Sequence, residues 1–510
     1  MRKFTFCFFL LATSFNLAEA QADYSIKLKL KNCSDPSMYL VKYVYDKQYM
    51  EDTCKKIVDG LIEFKGKRNL EKGMYALVSP GMVKYFDFFI NESQKFTITG
   101  DMNDLAHTLK SPDSKENETM FTYANFMSAK EMDYRNAIKQ AKGKSKPDSL
   151  SFILERQKAI NAEVKKFDAA FVEKNKGSFV CDFLNLRAEK YPTEIPKAKN
   201  GRPDSLYQYY YYKNHFFDGI NFKDERIARL PFFADKIRKY LETVIVQHPD
   251  TIIVEIDKIL AKCAEGNLPY NMIVGDFTYK FEQNKTMSFD RNGKTTTFEK
   301  VFVHMGDSYI INGKTKEVYS DETIAKIKER VDILRNLLPE AKVSELFLID
   351  TTYGATVRKM GFDTAQSSKS LTDLYYKNAE KLTPLFKTLY QVDAKYTILA
   401  FWAVDCDHCK KEMPLLNENL KKLKDIDVKV VAVQTKDELF EDWKKFLIEK
   451  KLNFINVFDP VHINNIKERF DINSTPVIYL LDKDKKIKGK KLTADQVVEI
   501  IRNLENIQKL

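Results

Sequence analysis

Tyr396-Thr-Ile-Leu-Ala-Phe-Trp-Ala-Val-Asp-Cys-Asp-His-Cys-Lys-Lys-Glu-Met-Pro-Leu-Leu416 is the stretch of this 510-residue chain whose reading decides the fold. Tyr396 to Val404 is an apolar run of the kind a buried strand needs, and beyond Cys409 charged and apolar residues recur at helical spacing. Cys406 and Cys409 therefore stand where a strand hands over to a helix. Their three-residue spacing lets two sulfurs at such a turn meet as a small, reversible disulfide ring. The helix N-terminus supplies partial positive charge that favours thiolate over thiol, so Cys406 is expected to be the attacking sulfur and Cys409 the resolving one. The chemistry this predicts is thiol–disulfide exchange.

The pair has two other conceivable uses. Cys406, His408 and Cys409 would supply three ligands to a metal, but a structural zinc takes four and no second Cys/His cluster stands nearby, so neither a metal nor another cofactor is expected. A permanent structural disulfide across so short a loop would gain little from the cross-link.

Phe401-Trp402-Ala403, Cys406-Asp407-His408-Cys409 and Lys410-Lys411-Glu412-Met413-Pro414 resemble the active-site segment of the thioredoxin superfamily, in particular its extracytoplasmic TlpA/ResA-like branch. Ser474-Thr475-Pro476, followed by the apolar run Val477 to Leu481, resembles a second landmark of that family. The resemblance implies a cis Pro476 facing the cysteines, and Trp402, Thr475 and Pro476 as the residues that meet a bound client. It implies a proton-handling role for Glu412, on the same helix face as Cys409. His408, between the sulfurs, would stabilise the Cys406 thiolate when cationic, its alternative being merely to fill the turn. One position departs from the family: Asp405 stands where tryptophan is common, and a carboxylate there should oppose thiolate formation at Cys406.

Met1-Arg2-Lys3, the apolar Phe4 to Leu17 and Ala18-Glu19-Ala20 have the order of a secretion signal, with cleavage expected after Ala20. Cys7 would leave with it, so six of the seven cysteines remain, too few for a disulfide scaffold of this size. No other segment has the apolar length to cross a bilayer, so the processed protein is expected in the periplasm or cell envelope without membrane insertion. The net charge of +11, from 83 basic and 72 acidic residues, is mostly lysine spread along helices. That distribution and export both argue against nucleic acid as a partner.

Beyond the signal at 1–20, three domains are expected. Residues 21–110 carry short alternating runs between turn signals such as Asp35-Pro36, Asp59-Gly60 and Ser79-Pro80-Gly81, which predicts an antiparallel β sandwich or barrel. Asp52-Thr53, Asp59-Gly60 and Phe64 resemble a β-domain of unknown function that precedes thioredoxin domains in exported Bacteroidetes proteins. Cys33 and Cys54 lie near strand ends there, either as a disulfide or as two small buried hydrophobes. Residues 111–342 turn to helical periodicity and predict an all-α domain, with Leu230 to His248 among its helices. Phe216-Phe217-Asp218, Arg229 to Phe233 and Val301 to Met305 resemble a helical domain of unknown function from the same bacteria. The tyrosine run Tyr209 to Tyr212 is expected in its core. Residues 343–510 are the α/β thioredoxin-like domain, with a polar connection over Asp350 to Ser370, a helix over Leu371 to Leu389, and a segment from Gln434 to Ser474 longer than a minimal crossover. The resemblance implies an exported thiol–disulfide oxidoreductase with disulfide or dithiol proteins as clients and a membrane thiol-electron donor of the DsbD/CcdA kind. The alternative is an envelope docking protein with little turnover. A peroxidase is disfavoured, because no Pro-x-x-x-Thr/Ser-x-x-Cys pattern surrounds Cys406.

Overall fold

β1 (Tyr24–Lys31) owes its faces to alternation: Tyr24, Ile26, Leu28 and Leu30 are buried while the lysines between them face out. β1 lies between β4 (Leu61–Gly66), antiparallel to it, and β7 (Lys95–Asp101), parallel to it. A second sheet, in the order β3 (Lys47–Cys54), β2 (Met38–Val44), β5 (Gly73–Val78) and β6 (Lys84–Ile90), is antiparallel throughout. The inward residues of both sheets, among them Ile26, Leu28, Leu40, Leu77 and Phe88, form one core. The outcome is a sandwich of two open sheets.

These observations come from a computed structural model that describes residues 24–142, 145–284, 286–289, 295–315, 318–365 and 367–507; the expected secretion signal lies outside them. The described residues up to 247, with 254–275, form one compact unit, and 248–253 with those from 276 onward form another. Helices follow the first sandwich: α1 (Leu105–Thr108), α2 (Lys115–Ala141), α3 (Lys146–Lys174), α4 (Phe179–Arg187), α5 (Ser205–Asn214), α6 (Phe233–Lys239), α7 (Pro249–Leu260) and α8 (Leu268–Gln283). The long helix expected over Leu230 to His248 is broken. Pro231 and the left-handed backbone of Phe232 (φ 75°) start α6 anew, and it passes into a π-helical turn over Tyr240–Val244. The tyrosine run did not enter the core either: α5 buries none of its residues and Tyr210 is 55% exposed. Tyrosines at consecutive positions point around the whole helix, so only part of such a run can face inward.

The second unit holds a short hairpin, β8 (Met287–Phe289) with β9 (Thr295–Thr297), then α9 (Glu299–Met305) and α10 (Asp321–Arg335). Its main sheet has seven strands in the order β11 (Phe386–Thr388), β10 (Phe347–Asp350), β14 (Ile455–Phe458), β13 (Val428–Gln434), β12 (Tyr396–Trp402), β15 (Val477–Asp482) and β16 (Ile487–Lys490). The three central strands β14, β13 and β12 are parallel and β15 is antiparallel to β12. Every residue of β12 is buried, because both faces are covered: Ile398, Ala400 and Trp402 enter one core, Leu399 and Phe401 the other. α11 (Thr351–Arg358), α12 (Ser368–Leu382), α13 (Asp407–Leu420), α14 (Phe440–Lys450), α15 (Ile466–Arg469) and α16 (Ala494–Ile507) complete the unit. The expected long crossover is thus built of α14, β14 and α15. α11 occupies part of what reads as a polar connection, and α12 stops where Pro384 and a 3₁₀ turn lead into the edge strand β11.

Candidate active site

α13 begins where the apolar run of β12 ends, and its first turn carries the cysteines. Cys406 is the N-cap, with non-helical backbone (φ −90°, ψ 116°), and its Sγ accepts from the backbone N–H of Cys409 at 3.3 Å, the place a serine or aspartate oxygen usually takes. Cys409, Met413 and Leu416 follow at helical spacing and are fully buried, which ties the helix to the core beneath the sheet. The two sulfurs therefore differ in environment: Cys406 is half-buried, Cys409 has no exposed surface, and both are thiols.

The β12–β15 register, with Phe401 opposite Val477, carries Thr475 and Pro476 to the end of β12 where the cysteines begin. The Thr475–Pro476 peptide is cis, and the Cys406 thiol donates to the Thr475 carbonyl at 3.3 Å. Burial works to raise the Cys406 pKa, but hydrogen bonds from the Cys409 thiol, the Cys409 N–H, the Thr475 side chain and the His408 N–H outweigh it and leave it below the ordinary thiol value. Cys409 goes the other way: burial first, then its neighbour's sulfur, push it up to about 12. One sulfur is thus prepared to be an anion and the other to keep its proton.

Asp405, exposed beside Cys406, is not an isolated carboxylate: Lys436 Nζ pairs with it. The parallel register of Trp402 with Gln434 explains the meeting, since residues just past the two strand ends leave the sheet side by side, and Thr435 N–H donates to the Trp402 carbonyl at 2.9 Å. Lys436 was missed in the sequence; strand register is the signal that finds it. Glu412 accepts from the backbone N–H of Ala494 at the start of α16, and so joins two helices. His408 is exposed in the first turn of α13. Trp402, expected to meet a client, has its ring fully buried, 5.8 Å from that of Phe446, because β12 is covered on both faces. Among the described residues no group of His, Cys, Asp and Glu side chains is arranged to hold a metal.

Residues 382–490 match the AhpC/TSA family, residues 154–336 a domain of unknown function (DUF5106) and residues 24–120 another (DUF4369). The chain is 29% identical over 165 residues to the thiol-disulfide oxidoreductase ResA of Bacillus cereus, covering 31% of this chain and 87% of that protein. It is 33% identical over 91 residues to a thioredoxin-like protein of Haemophilus influenzae, 18% of this chain and 51% of that one. Among solved structures it is similar to a domain of a possible thiol-disulfide isomerase from Cytophaga hutchinsonii (29% identity, 34% of this chain and 96% of that one, TM-score 0.26). It is also similar to a thioredoxin-like protein from Bacteroides caccae (17% identity, 62% and 99%, TM-score 0.31). With the cysteine pair at the head of its helix, the C-terminal part of the chain has a thioredoxin fold and is similar to the ResA thiol-disulfide oxidoreductases, and it follows two stretches that match domains of unknown function.

Proposed function

We propose that the protein is an exported thiol–disulfide oxidoreductase that exchanges disulfides with proteins of the cell envelope through Cys406 and Cys409. The observation that carries this reading is the contrast between the sulfurs: Cys406 partly open with a lowered pKa, Cys409 buried with a pKa of about 12. The Cys406 thiolate attacks one sulfur of a client disulfide, forming a mixed disulfide and releasing the other client sulfur as a thiolate. Cys409, losing its proton as it attacks, then displaces the client from Cys406 and leaves the Cys406–Cys409 disulfide. Two electrons have passed to the client, and a membrane thiol donor of the DsbD/CcdA kind would restore the dithiol. Thr475 and Pro476 offer the client backbone a place against Cys406. His408 would steady the thiolate, and Glu412, one turn after Cys409, would take part in moving its proton.

Insulin reduction by the purified protein tests this reading. Cys406→Ser should abolish turnover, and Cys409→Ser should trap client on Cys406 as a mixed disulfide. Turnover unaffected by Cys406→Ser would overturn it, and no turnover in any form would favour the docking protein. Export is supported by the signal-like N-terminus, and among the described residues no helix is long and apolar enough to cross a membrane. N-terminal sequencing of protein from cells should begin at Gln21.

A further inference from the structure

The N-terminal sandwich holds a second pair of thiols that the exchange chemistry does not use. Cys33 follows the end of β1 and Cys54 is the last residue of β3. The two connections that cross between the sheets, residues 32–37 and 55–60, run together: Leu30 N–H donates to the Gly60 carbonyl at 2.9 Å, and Met38, where the first connection ends, pairs with Cys54. The first connection is held on both sides of Cys33. Asn32 donates to Asp101 at 2.8 Å and the Tyr85 hydroxyl to Asp35 at 2.6 Å, so Cys33 has little freedom to swing away. Cys54 is buried in the sandwich core, and Cys33 packs half-buried against the same core.

We propose that Cys33 and Cys54 close a disulfide in the oxidised protein, tying the end of β1 to the end of β3 independently of Cys406 and Cys409. Both cysteines belong to one hydrophobic cluster at the same end of the sandwich, and burial, the Asp35 carboxylate and the Cys54 sulfur raise the Cys33 pKa against a hydrogen bond from the Asp35 backbone. The oxidant is a small disulfide such as oxidised glutathione. Cys33, the more open sulfur, attacks it as the thiolate, forming a mixed disulfide and expelling one glutathione thiolate. Cys54 then gives up its proton and attacks the Cys33 sulfur, expelling the second. Two protein thiols are oxidised, one disulfide is reduced to two thiols, and no atom is left over. The bridge closes the loop 33–54, which limits what the unfolded sandwich can explore.

The full chain, equilibrated with oxidised glutathione above neutral pH, is alkylated under denaturing conditions without reductant, digested and mapped by mass spectrometry. The expected result is a linked pair of peptides carrying Cys33 and Cys54, lighter by two hydrogens than the separate thiols and split by reductant, while Cys181 and Cys263 take the alkyl label. In Cys33→Ser, Cys54 should be found alkylated or carrying one glutathione, and linked to no other cysteine of the chain. Alkyl label on both Cys33 and Cys54 of the oxidised wild type, or Cys54 linked to a different protein cysteine in Cys33→Ser, would overturn the pairing. The Cys406–Cys409 peptide is read separately in the same map, so failure of one pair is not mistaken for failure of the other.

Discussion

At the scale of single residues, the reactivity of Cys406 is a balance of opposed terms. A half-buried sulfur pays for desolvation, and it is the hydrogen bonds of the helix turn and Thr475 that reverse the sign. The rate of alkylation against pH should therefore show Cys406 reaching half its maximum below the pH of a free cysteine, with Cys409 inert at neutral pH. Lys436 belongs to the same balance, since it neutralises Asp405 next to the thiolate. Lys436→Ala should move the Cys406 alkylation profile upward in pH, and because the pair is exposed the displacement should shrink with added salt. Asp471 titrates to a different end. Burial opposes its ionisation, but hydrogen bonds from Arg330 and Lys491 and their charges prevail and bring its pKa to about 2. A depressed folded-state pKa stabilises above the ordinary carboxylate pKa and loses that contribution as pH falls toward the folded value. The second unit should thus lose about 2 kcal/mol of stability between roughly pH 4 and pH 2. Asp471→Asn should flatten this dependence without straining the left-handed backbone there (φ 51°), a region asparagine tolerates.

At the scale of elements, the legible ones announce their own period. The strand-to-helix handover of β12 and α13 could be read from the sequence because an unbroken apolar run and a three- and four-residue apolar repeat arise from chain neighbours alone. α11 was illegible for the opposite reason: Thr351, Thr352 and Gly354 have poor helix propensity. The helix is held by tertiary contacts and by Asp350, whose carboxylate accepts from Thr352 N–H at 2.8 Å and Tyr353 N–H at 3.3 Å. Gly354 is there because a Cβ would collide with the Phe440 ring and crowd Phe458. Gly354→Ala should therefore destabilise the second unit by roughly 1–3 kcal/mol despite its better helix propensity. Trp402 and Trp443 are the only tryptophans of the chain, and both are buried in this unit, so the unfolding midpoint followed by tryptophan fluorescence reads this loss directly.

At the scale of the whole molecule, charge is buried where sequence shows only scattered lysines. Glu299 of α9 and Lys490 of β16 are both buried and in contact, and Lys491 reaches toward Glu299 while bonding Asp471 at 2.6 Å. Residues read in sequence as part of a separate helical stretch thus share a charge network with the thioredoxin-like sheet, inside one compact unit. Glu299→Ala leaves Lys490 buried without its counter-charge and should cost about 3–5 kcal/mol in the tryptophan-monitored transition, whereas Glu299→Leu with Lys490→Met should recover most of it. The exchange chemistry expected of Cys406 and Cys409, the alternation of β1 and the identity of the buried central strand are all legible along the chain, because each depends on residues adjacent or a few positions apart. It takes the folded chain to bring Thr475, 69 residues beyond Cys406, to its sulfur, Lys436 to Asp405, and Glu299 to Lys490. Those partners are chosen by strand register and by packing across the sheet, and neither leaves a period in the chain.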